Sequence, residues 1–186
     1  MALLPTKNTI PFLSGDELLR MPDIGRAELV GGQLVTMPPT GHEHGYVENR
    51  IGRLLGEYAE QAQLGRVLTG EVGIYTKRNP DTVRGADLVY ISHERFTQVQ
   101  RDGYLEVAPE LVVEVLSPHD RWADVIDKLA EYFAVGVLEV WVVDPRRKEL
   151  FLYNDFETVS HFTKDDEVKQ SRVFPKLEFR VCDLFR

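Results

Sequence analysis

One carboxylate lies inside an apolar segment of the chain. The stretch LVVEVLSPHD, residues 111–120, places Glu114 among strand-forming residues, where an unpaired buried charge would be costly. A second carboxylate, Asp87, begins the apolar stretch GADLVYI. Neighbouring strands would bring the two carboxylates together, and one of them would take up a proton unless a cation lay between them. A hard divalent cation such as Mg²⁺ prefers oxygen ligands, so the pair is a candidate site for such a cation.

Each carboxylate also has a structural interpretation. Asp87 precedes an apolar strand, where an aspartate often serves as a turn or cap residue. Glu114 could form a buried ion pair with Lys128 or Arg121. The sequence leaves these interpretations open beside the catalytic one.

A lysine in the following helix could reach the carboxylates. At about 100° per residue, Lys128 lies on the flank of the apolar face that Val125 and Leu129 define. The helix follows the Glu114 strand and packs back over the sheet, so the ammonium group could reach the end of that strand. The alternative is a surface lysine whose aliphatic stem covers apolar residues.

Other chemistry-bearing side chains have weaker support. His44 lies in the first turn of a long amphipathic helix, where the helix dipole is expected to lower its pKa. It could be a metal ligand, a phosphate contact or a packing residue. Glu28 and Glu48 are possible further carboxylates, and Cys182 has no paired histidine that could activate its thiol. The chain carries no GxSxG, HExxH, P-loop or GxGxxG motif.

Capping and turn signals define the first elements. A capping-box pattern at Ser14 predicts a short helix to Arg20, and the Gly31-Gly32 pair predicts a two-residue hairpin. Apolar residues spaced by three and four then predict a long helix, with Thr40 at its start and Gly65 at its end.

The period changes to that of strands after the long helix. Strands are predicted in RVLTGEVGIYT, GADLVYIS and PELVVEVLS. A helix follows, with Ser117 as its N-cap, Pro118 at its first position and Gly136 after its end. The remaining strands are predicted in VLEVWVV, ELFLY, TVSHFTK and KLEFRVCDLF.

This order of elements predicts an α/β fold. A core of helix, three strands, helix and strand, with extra strands at both ends, indicates a mixed sheet with flanking helices. The segment from Glu110 to Val143 predicts a right-handed parallel crossover. Helices on both faces would explain the apolar run around Glu114. We expect a single domain over residues 1–186, with a core at about residues 40–153.

Composition limits the classes of function. The chain has 186 residues, 43% of them hydrophobic, and a formal net charge of −8. This charge argues against non-specific coating of nucleic acid but leaves room for a local site. Basic clusters at residues 77–84 and 146–148, each taken alone, are interpreted as solvated loop charges. No apolar run could span a bilayer. The single Cys182, with no signal-peptide pattern in residues 1–15, indicates a reducing, cytoplasmic setting.

Several segments together resemble one protein family. The strings GADLVYIS, PELVVEVLSPHD and DKLAEYFAVGVLEVWVVDP resemble the Uma-type family of restriction endonuclease-like proteins, within the PD-(D/E)XK nuclease superfamily. The likeness extends from RAELVGGQLVTMPP and the GHEH helix to the closing FPKLEFRVCDLF. The string VVEVLSP, followed by a helix with Lys and Tyr and then by EVWVVDP, is its most specific part.

The resemblance implies a metal-dependent DNA endonuclease with a restriction-endonuclease-like core. Asp87 matches the first acidic position of the superfamily and Glu114 the second, both as Mg²⁺ ligands. The backbone carbonyl of Val115 would be a further ligand, and Mn²⁺ could substitute for Mg²⁺. Because cutting both strands of duplex DNA needs two sites, a homodimer or higher homo-oligomer is also expected.

The sequence departs from the superfamily pattern at two positions. Ala86 stands before Asp87 in place of a proline, and Leu116 stands where the superfamily has its lysine. The resemblance implies that Lys128 takes over the role of that lysine from the next helix. A nuclease fold that binds DNA or protein without catalysis, and a hydrolase of another phosphate ester, remain open alternatives.

Overall fold

The predicted helices and strands occur in the predicted order, but the short helix His93–Phe96 and the strand Glu167–Val168 were not predicted. The computed structural model describes residues 12–118 and 120–186, so most of the segment behind the signal-peptide expectation lies outside the described residues. The described α-helices are Gly15–Leu19 (α1), His42–Gln61 (α2), His93–Phe96 (α3) and Trp122–Val135 (α4). The described strands are Ala27–Val30 (β1), Gln33–Thr36 (β2), Gly65–Lys77 (β3), Thr82–Ser92 (β4), Leu111–Val115 (β5), Glu139–Asp144 (β6), Glu149–Tyr153 (β7), Val159–Phe162 (β8), Glu167–Val168 (β9) and Phe179–Arg180 (β10).

Strands β1 to β8 form one mixed sheet. Its order is β2-β1-β4-β5-β6-β7-β8, and β3 is an additional strand of the sheet that pairs with β4. Strands β5 and β6 are parallel, as the predicted crossover requires, and α4 connects them. The other pairs within the sheet are antiparallel. The predicted α/β architecture with a mixed sheet is therefore confirmed.

Helices α2 and α4 cover opposite faces of the central strands. Ile51 and Leu55 of α2 are buried in a cluster with alternate residues of β4, β5 and β6. Leu129 and Tyr132 of α4 belong to the cluster on the other face. Every residue of β5 is buried, and Glu114 is the charged one among them. Coverage of both faces is the reason that β5 is an apolar run rather than an alternating one.

The predicted ends of α2 were wrong at both termini. The helix begins at His42 with Gly41 as an extended N-cap that makes no side-chain capping bond, so Thr40 is not the cap. It ends at Gln61, and Gly65 instead opens β3. A Cβ atom at Gly65 would overlap the backbone of β4. This glycine therefore serves close strand pairing rather than helix termination.

The predicted start of α4 was also wrong. Asp120 Oδ2 accepts a hydrogen bond from Ser117 N–H at 2.7 Å, and Asp120 N–H bonds back to the Ser117 carbonyl at 3.1 Å. These bonds hold the segment as a turn, so α4 starts at Trp122 with Arg121 as its N-cap. The predicted end is confirmed, because Gly136 has a left-handed φ of 101°.

The C-terminal segment is shorter in strand than predicted. Strand β10 covers Phe179–Arg180, and a 3₁₀ helix follows at Val181–Phe185, so Cys182 lies in a helix and not in a strand. Val181 and Leu184, three residues apart, are both buried against α2, as one face of a 3₁₀ helix allows. No helix in the described part of the chain is long and apolar enough to cross a membrane.

Candidate active site

The site lies where two strands diverge along one edge of β4. Strand β1 pairs with β4 at Val83, and β5 pairs with the same strand at residues 88–90. On this edge, the intervening residues 84–87 have no strand partner among the described pairings. Backbone groups exposed in such a gap need other hydrogen-bond partners.

Side chains of the site residues supply those partners. Gly85 N–H donates to Glu28 Oε1 at 3.0 Å, and Lys128 Nζ donates to the Gly85 carbonyl at 3.2 Å. Across the gap, Val115 N–H donates to Asp87 Oδ2 at 2.7 Å. The predicted residues Asp87 and Lys128 therefore lie in the same gap, beside the end of β5. Glu28, which had little support from sequence, lies there too.

Lys128 and Tyr132 hold the carboxylate of Glu114. Lys128 Nζ lies 3.0 Å from Glu114 Oε2, and Tyr132 O–H donates to Glu114 Oε1 at 2.6 Å. The two side chains are four residues apart on α4 and therefore point the same way. The helical geometry correctly predicted that Lys128 reaches Glu114. Burial raises the pKa of Glu114 to about 7, and the charge of Asp87 adds to this rise.

All three ammonium protons of Lys128 have acceptors. Nζ lies 2.9 Å from Glu28 Oε1, 3.0 Å from Glu114 Oε2 and 3.2 Å from the Gly85 carbonyl oxygen. An ammonium group has three N–H donors, so this set uses all of them. Burial lowers the pKa of Lys128, but Glu114 and Glu28 raise it more, and the net shift is upward. The two carboxylates therefore favour the protonated, positively charged form of Lys128.

A second cation extends this network away from Lys128. Arg84 NH1 donates to Glu28 Oε2 at 3.0 Å, so Glu28 lies between Lys128 and Arg84. Arg84 also donates to both carboxylate oxygens of Glu131, at 2.7 and 3.0 Å. Such a two-pronged pair has a fixed geometry. Glu28 is thus the carboxylate that Lys128 and Arg84 share, and it lies on β1, at the side of the gap opposite β5.

A second cluster forms where the first turn of α2 meets Asp87. His44 Nε2 lies 3.3 Å from Asp87 Oδ2, and His44 Nδ1 lies 4.0 Å from Glu48 Oε2. One potential ligand atom from each of these three residues lies within 4.8 Å of the others. His44 is 5% exposed, and its Nδ1 atom has no hydrogen-bond partner among the described residues.

Asp87 and His44 stabilise each other's charged forms. Burial raises the pKa of Asp87, but the hydrogen bond and charge of His44 lower it more, so the net shift is downward. Burial lowers the pKa of His44, and the bond and charge of Asp87 overcome this and raise it. The expected lowering by the helix dipole was therefore wrong, because a buried carboxylate at 3.3 Å outweighs the end of the helix.

Glu71 is a half-buried carboxylate near Asp87 that the sequence reasoning missed. It follows Gly70 at a break in the β3–β4 register, and both residues have positive φ, 90° for Gly70 and 61° for Glu71. This bulge turns Glu71 toward Asp87 and Arg26, and burial raises the pKa of Glu71 to about 7. Gly70, in the TGEVG segment, was the signal, since a glycine inside a strand often marks a bulge.

The donors around Asp87 fit a divalent cation. The cluster offers two carboxylates and an imidazole, and His44 Nδ1 is buried without a hydrogen-bond partner among the described residues. Val115 N–H faces β4 and Asp87, and in extended backbone the carbonyl of a residue points to the same edge as its N–H. The ligand role of the Val115 carbonyl remains a prediction.

Comparisons with known proteins agree with this architecture. The family model Uma2, described as "Putative restriction endonuclease", matches residues 16–182. A crystal structure of a "putative nuclease belonging to DUF820" from Anabaena variabilis ATCC 29413 superimposes with a TM-score of 0.77 at 19% sequence identity. The match covers 93% of this chain and 97% of that one, and at this identity it establishes the shared fold. No curated protein matches the sequence.

Proposed function

The chain belongs to the Uma2 family, which is described as "Putative restriction endonuclease", and on this basis we propose that it is a metal-dependent DNA endonuclease. Asp87, Glu114 and Lys128 would carry the hydrolysis of the phosphodiester bond. The observation behind the proposal is the gap in the β4 edge, where the potential cation ligands His44, Glu48 and Asp87 lie beside the ion pair of Lys128 with Glu114.

The proposed cation is Mg²⁺, with Mn²⁺ able to replace it. Asp87, Glu114 and the Val115 carbonyl are the proposed oxygen ligands, and His44 and Glu48 lie close enough to Asp87 to complete the set. When bound, the cation would polarise the scissile phosphate and acidify the attacking water. An imidazole ligand suits transition metals better than Mg²⁺, so Mn²⁺ should bind more tightly than Mg²⁺.

The protein's own groups would act through position and charge. Tyr132 and Lys128 each hold one oxygen of Glu114, which fixes the carboxylate toward the gap. Lys128 keeps its proton and would stabilise the negative charge that develops on the phosphoryl oxygens. Its contact with the Gly85 carbonyl, at 3.2 Å the longest of its three, is the one that a phosphate oxygen could most easily replace.

Cleavage of supercoiled plasmid with Mg²⁺ or Mn²⁺ tests the proposal. Asp87→Asn keeps an oxygen that can accept the Val115 N–H but removes the charge, and it should lower the cleavage rate by at least about 100-fold. Asp165→Asn is the matched control, because the Asp165 side chain is 84% exposed and pairs only with Lys164 among the described ion pairs. A plasmid that stays intact with both metals, or equal cleavage by Asp87→Asn, would refute the endonuclease.

One observation supports a second candidate, a nuclease fold that binds DNA without cutting it. The three donors of Lys128 are all used within the protein, as a purely structural lysine would require. This alternative predicts DNA binding that is unchanged in Asp87→Asn and cleavage that is absent with every cation. A gel-shift measurement beside the plasmid assay separates the two functions.

We also propose a homodimer or higher homo-oligomer as the active form on duplex DNA. One chain carries one copy of the gap, while a double-strand break needs two attacks on strands of opposite direction. Analytical ultracentrifugation with and without a duplex oligonucleotide measures the assembly. A monomer that makes double-strand breaks in a single binding event would contradict this expectation.

A further inference from the structure

An aromatic surface lies beyond the end of β5, outside the gap in the β4 edge. Trp122, the first residue of α4, is 45% exposed although it is a large apolar side chain. Its ring meets Phe151 of β7 edge to face at 5.4 Å, and Phe151 stacks on His161 of β8 at 4.5 Å with 5° between the ring planes. The three rings form a row across the sheet face, and the residues at its two ends, Trp122 and His161, are exposed.

Beside this row is a cavity of about 630 Å³, named here the Trp122 pocket. It lies between the end of β5, the start of α4 and the β6–β7 turn. Its lining includes Leu116, Trp122, Val125, Arg146, Arg147 and Phe151. The pocket therefore combines apolar walls with two guanidinium groups and with the carboxylates of Asp120 and Asp144, which also line it.

The two arginines at the pocket are available to an anionic ligand. The adjacent Asp144 is engaged by the turn, since its Oδ1 atom accepts from the N–H groups of Arg146 and Arg147 at 2.9 and 3.1 Å. Arg146 makes no ion pair with any residue that the structure describes. Arg147 is largely exposed and approaches Asp144 only at 4.0 Å. Asp120 is engaged too, through the Ser117 N–H at 2.7 Å.

The pocket lies on the same sheet face as Glu114. Leu116 lines it, packs in the cluster that α4 covers, and follows Glu114 by two residues. Leu116 is still held in line with β5, because its N–H bonds to the Val143 carbonyl at 2.8 Å. Two residues of extended chain span about 7 Å, a distance that one nucleotide of an extended strand can cover.

We propose that the Trp122 pocket binds an unpaired base of a DNA strand, one nucleotide away from Glu114, while Arg146 and Arg147 hold its flanking phosphates. The choice of DNA rests on the proposed function. Aromatic rings stack on any base, and a basic rim follows the backbone, which is the usual composition of single-strand binding surfaces. A second copy of the chain would also cover the rings, but the two arginines favour an anionic strand over an apolar protein face.

Tryptophan fluorescence gives a direct readout, because the chain has two tryptophans. Trp141 is 0% exposed inside the core, so an added oligonucleotide can stack only on Trp122. Titration with an oligothymidylate in EDTA, where no cation supports cleavage, should quench the emission and protect it from acrylamide. Trp122→Phe should lose this signal but keep most of the affinity, measured by anisotropy of a labelled oligonucleotide.

Variants then separate stacking from charge. Trp122→Ala should weaken oligonucleotide binding at least about fivefold, the lower end for removal of one base stack. Phe156→Ala is the matched control, because Phe156 is 47% exposed and does not line the pocket. Arg146→Gln should weaken binding and lower the slope of log affinity against log salt by about one.

The outcomes distinguish the pocket from the nuclease. If the oligonucleotide quenches the emission but no cation supports plasmid cleavage, the base-binding pocket is supported and the endonuclease proposal is refuted. If the plasmid is cleaved, but Trp122→Ala binds with full affinity and the parent chain shows no quenching, the base-binding pocket is refuted and the endonuclease proposal stands. Failure to bind the oligothymidylate would also overturn the proposal. Dissociation of a dimer by Trp122→Ala, seen in sedimentation, would identify the pocket as a protein interface instead.

Discussion

Removal of the Lys128 charge is the sharpest test of the network in the gap. Lys128→Met keeps an unbranched side chain as far as Cε but takes the ammonium group away from Glu28 and Glu114. The side chains of these carboxylates are 4% and 12% exposed, so water cannot easily replace the cation. Because breaking a buried ion pair leaves an uncompensated charge, we expect a loss of about 3–5 kcal/mol in the free energy of unfolding at pH 8.

The size of this loss should depend on pH in a defined direction. Glu114 has a pKa of about 7 beside Lys128, and loss of the cation would raise that pKa further. Below the raised pKa Glu114 takes up a proton, and its charge no longer needs a partner. The destabilisation should therefore be smaller at pH 6 than at pH 8, because neutralisation at pH 6 relieves part of the cost.

Urea unfolding of four variants measures the effect. The cycle consists of the parent chain, Lys128→Met, Glu114→Gln and the double variant, in which Tyr132 can still donate to the amide oxygen. The double variant should be less destabilised than the sum of the single ones by about 0.5–3 kcal/mol. Lys169→Met is the matched control, since Lys169 pairs with Glu167 and Glu178 on the surface and should change stability little.

Two results would refute this reasoning. One is a Lys128→Met chain as stable as the parent at pH 8, which would mean that the carboxylates do not depend on the ammonium group. The other is a loss that is equal at pH 6 and pH 8, which would locate the effect in packing rather than in charge.

Four further predictions concern the cation site and two glycines. His44→Ala should weaken Mn²⁺ binding in calorimetry by about tenfold or more, whereas His42→Ala, with its ring 97% exposed, should not. Cation affinity should rise as pH increases through about 7, because Glu114 with its pKa of about 7 then loses the competing proton; equal affinities at pH 6 and 8 would contradict this. Gly56→Ala should stabilise α2 by about 1 kcal/mol, because a Cβ there meets nothing within 4 Å. Gly65→Ala should lower the melting temperature, because its Cβ would overlap β4; a rise there, or a fall for Gly56→Ala, would show that the local space is misjudged.

The sequence alone predicted the architecture, and it identified Glu114 as the residue most in need of explanation. Apolar periods of two and of three to four separate the strands from α2 and α4, because one side of each element must face the core. The same logic singled out Glu114, since a charge in a doubly covered strand needs a partner. Helical geometry also showed that Lys128 could supply that partner, because the residue lies on the flank of the buried face of α4.

Short-range signals failed where tertiary pairing used the same residues differently. Gly65 has the form of a helix stop, but its lack of a side chain serves the close approach of β4. Ser117 and Pro118 have the form of a helix start, but the bond from Ser117 N–H to Asp120 holds a turn instead. Local patterns cannot distinguish these uses, since the deciding atoms belong to the folded structure.

Only the tertiary structure showed which residues lie together in the site. Asp87 meets His44, and Lys128 meets Glu28, because β1 and β5 diverge along one edge of β4 and leave backbone groups for side chains to satisfy. Sheet register sets these meetings between residues far apart in the chain, and no sequence spacing encodes them. The residue types could be identified from the sequence. Their partners, and therefore their charge states, depend on where β1 and β5 diverge along β4.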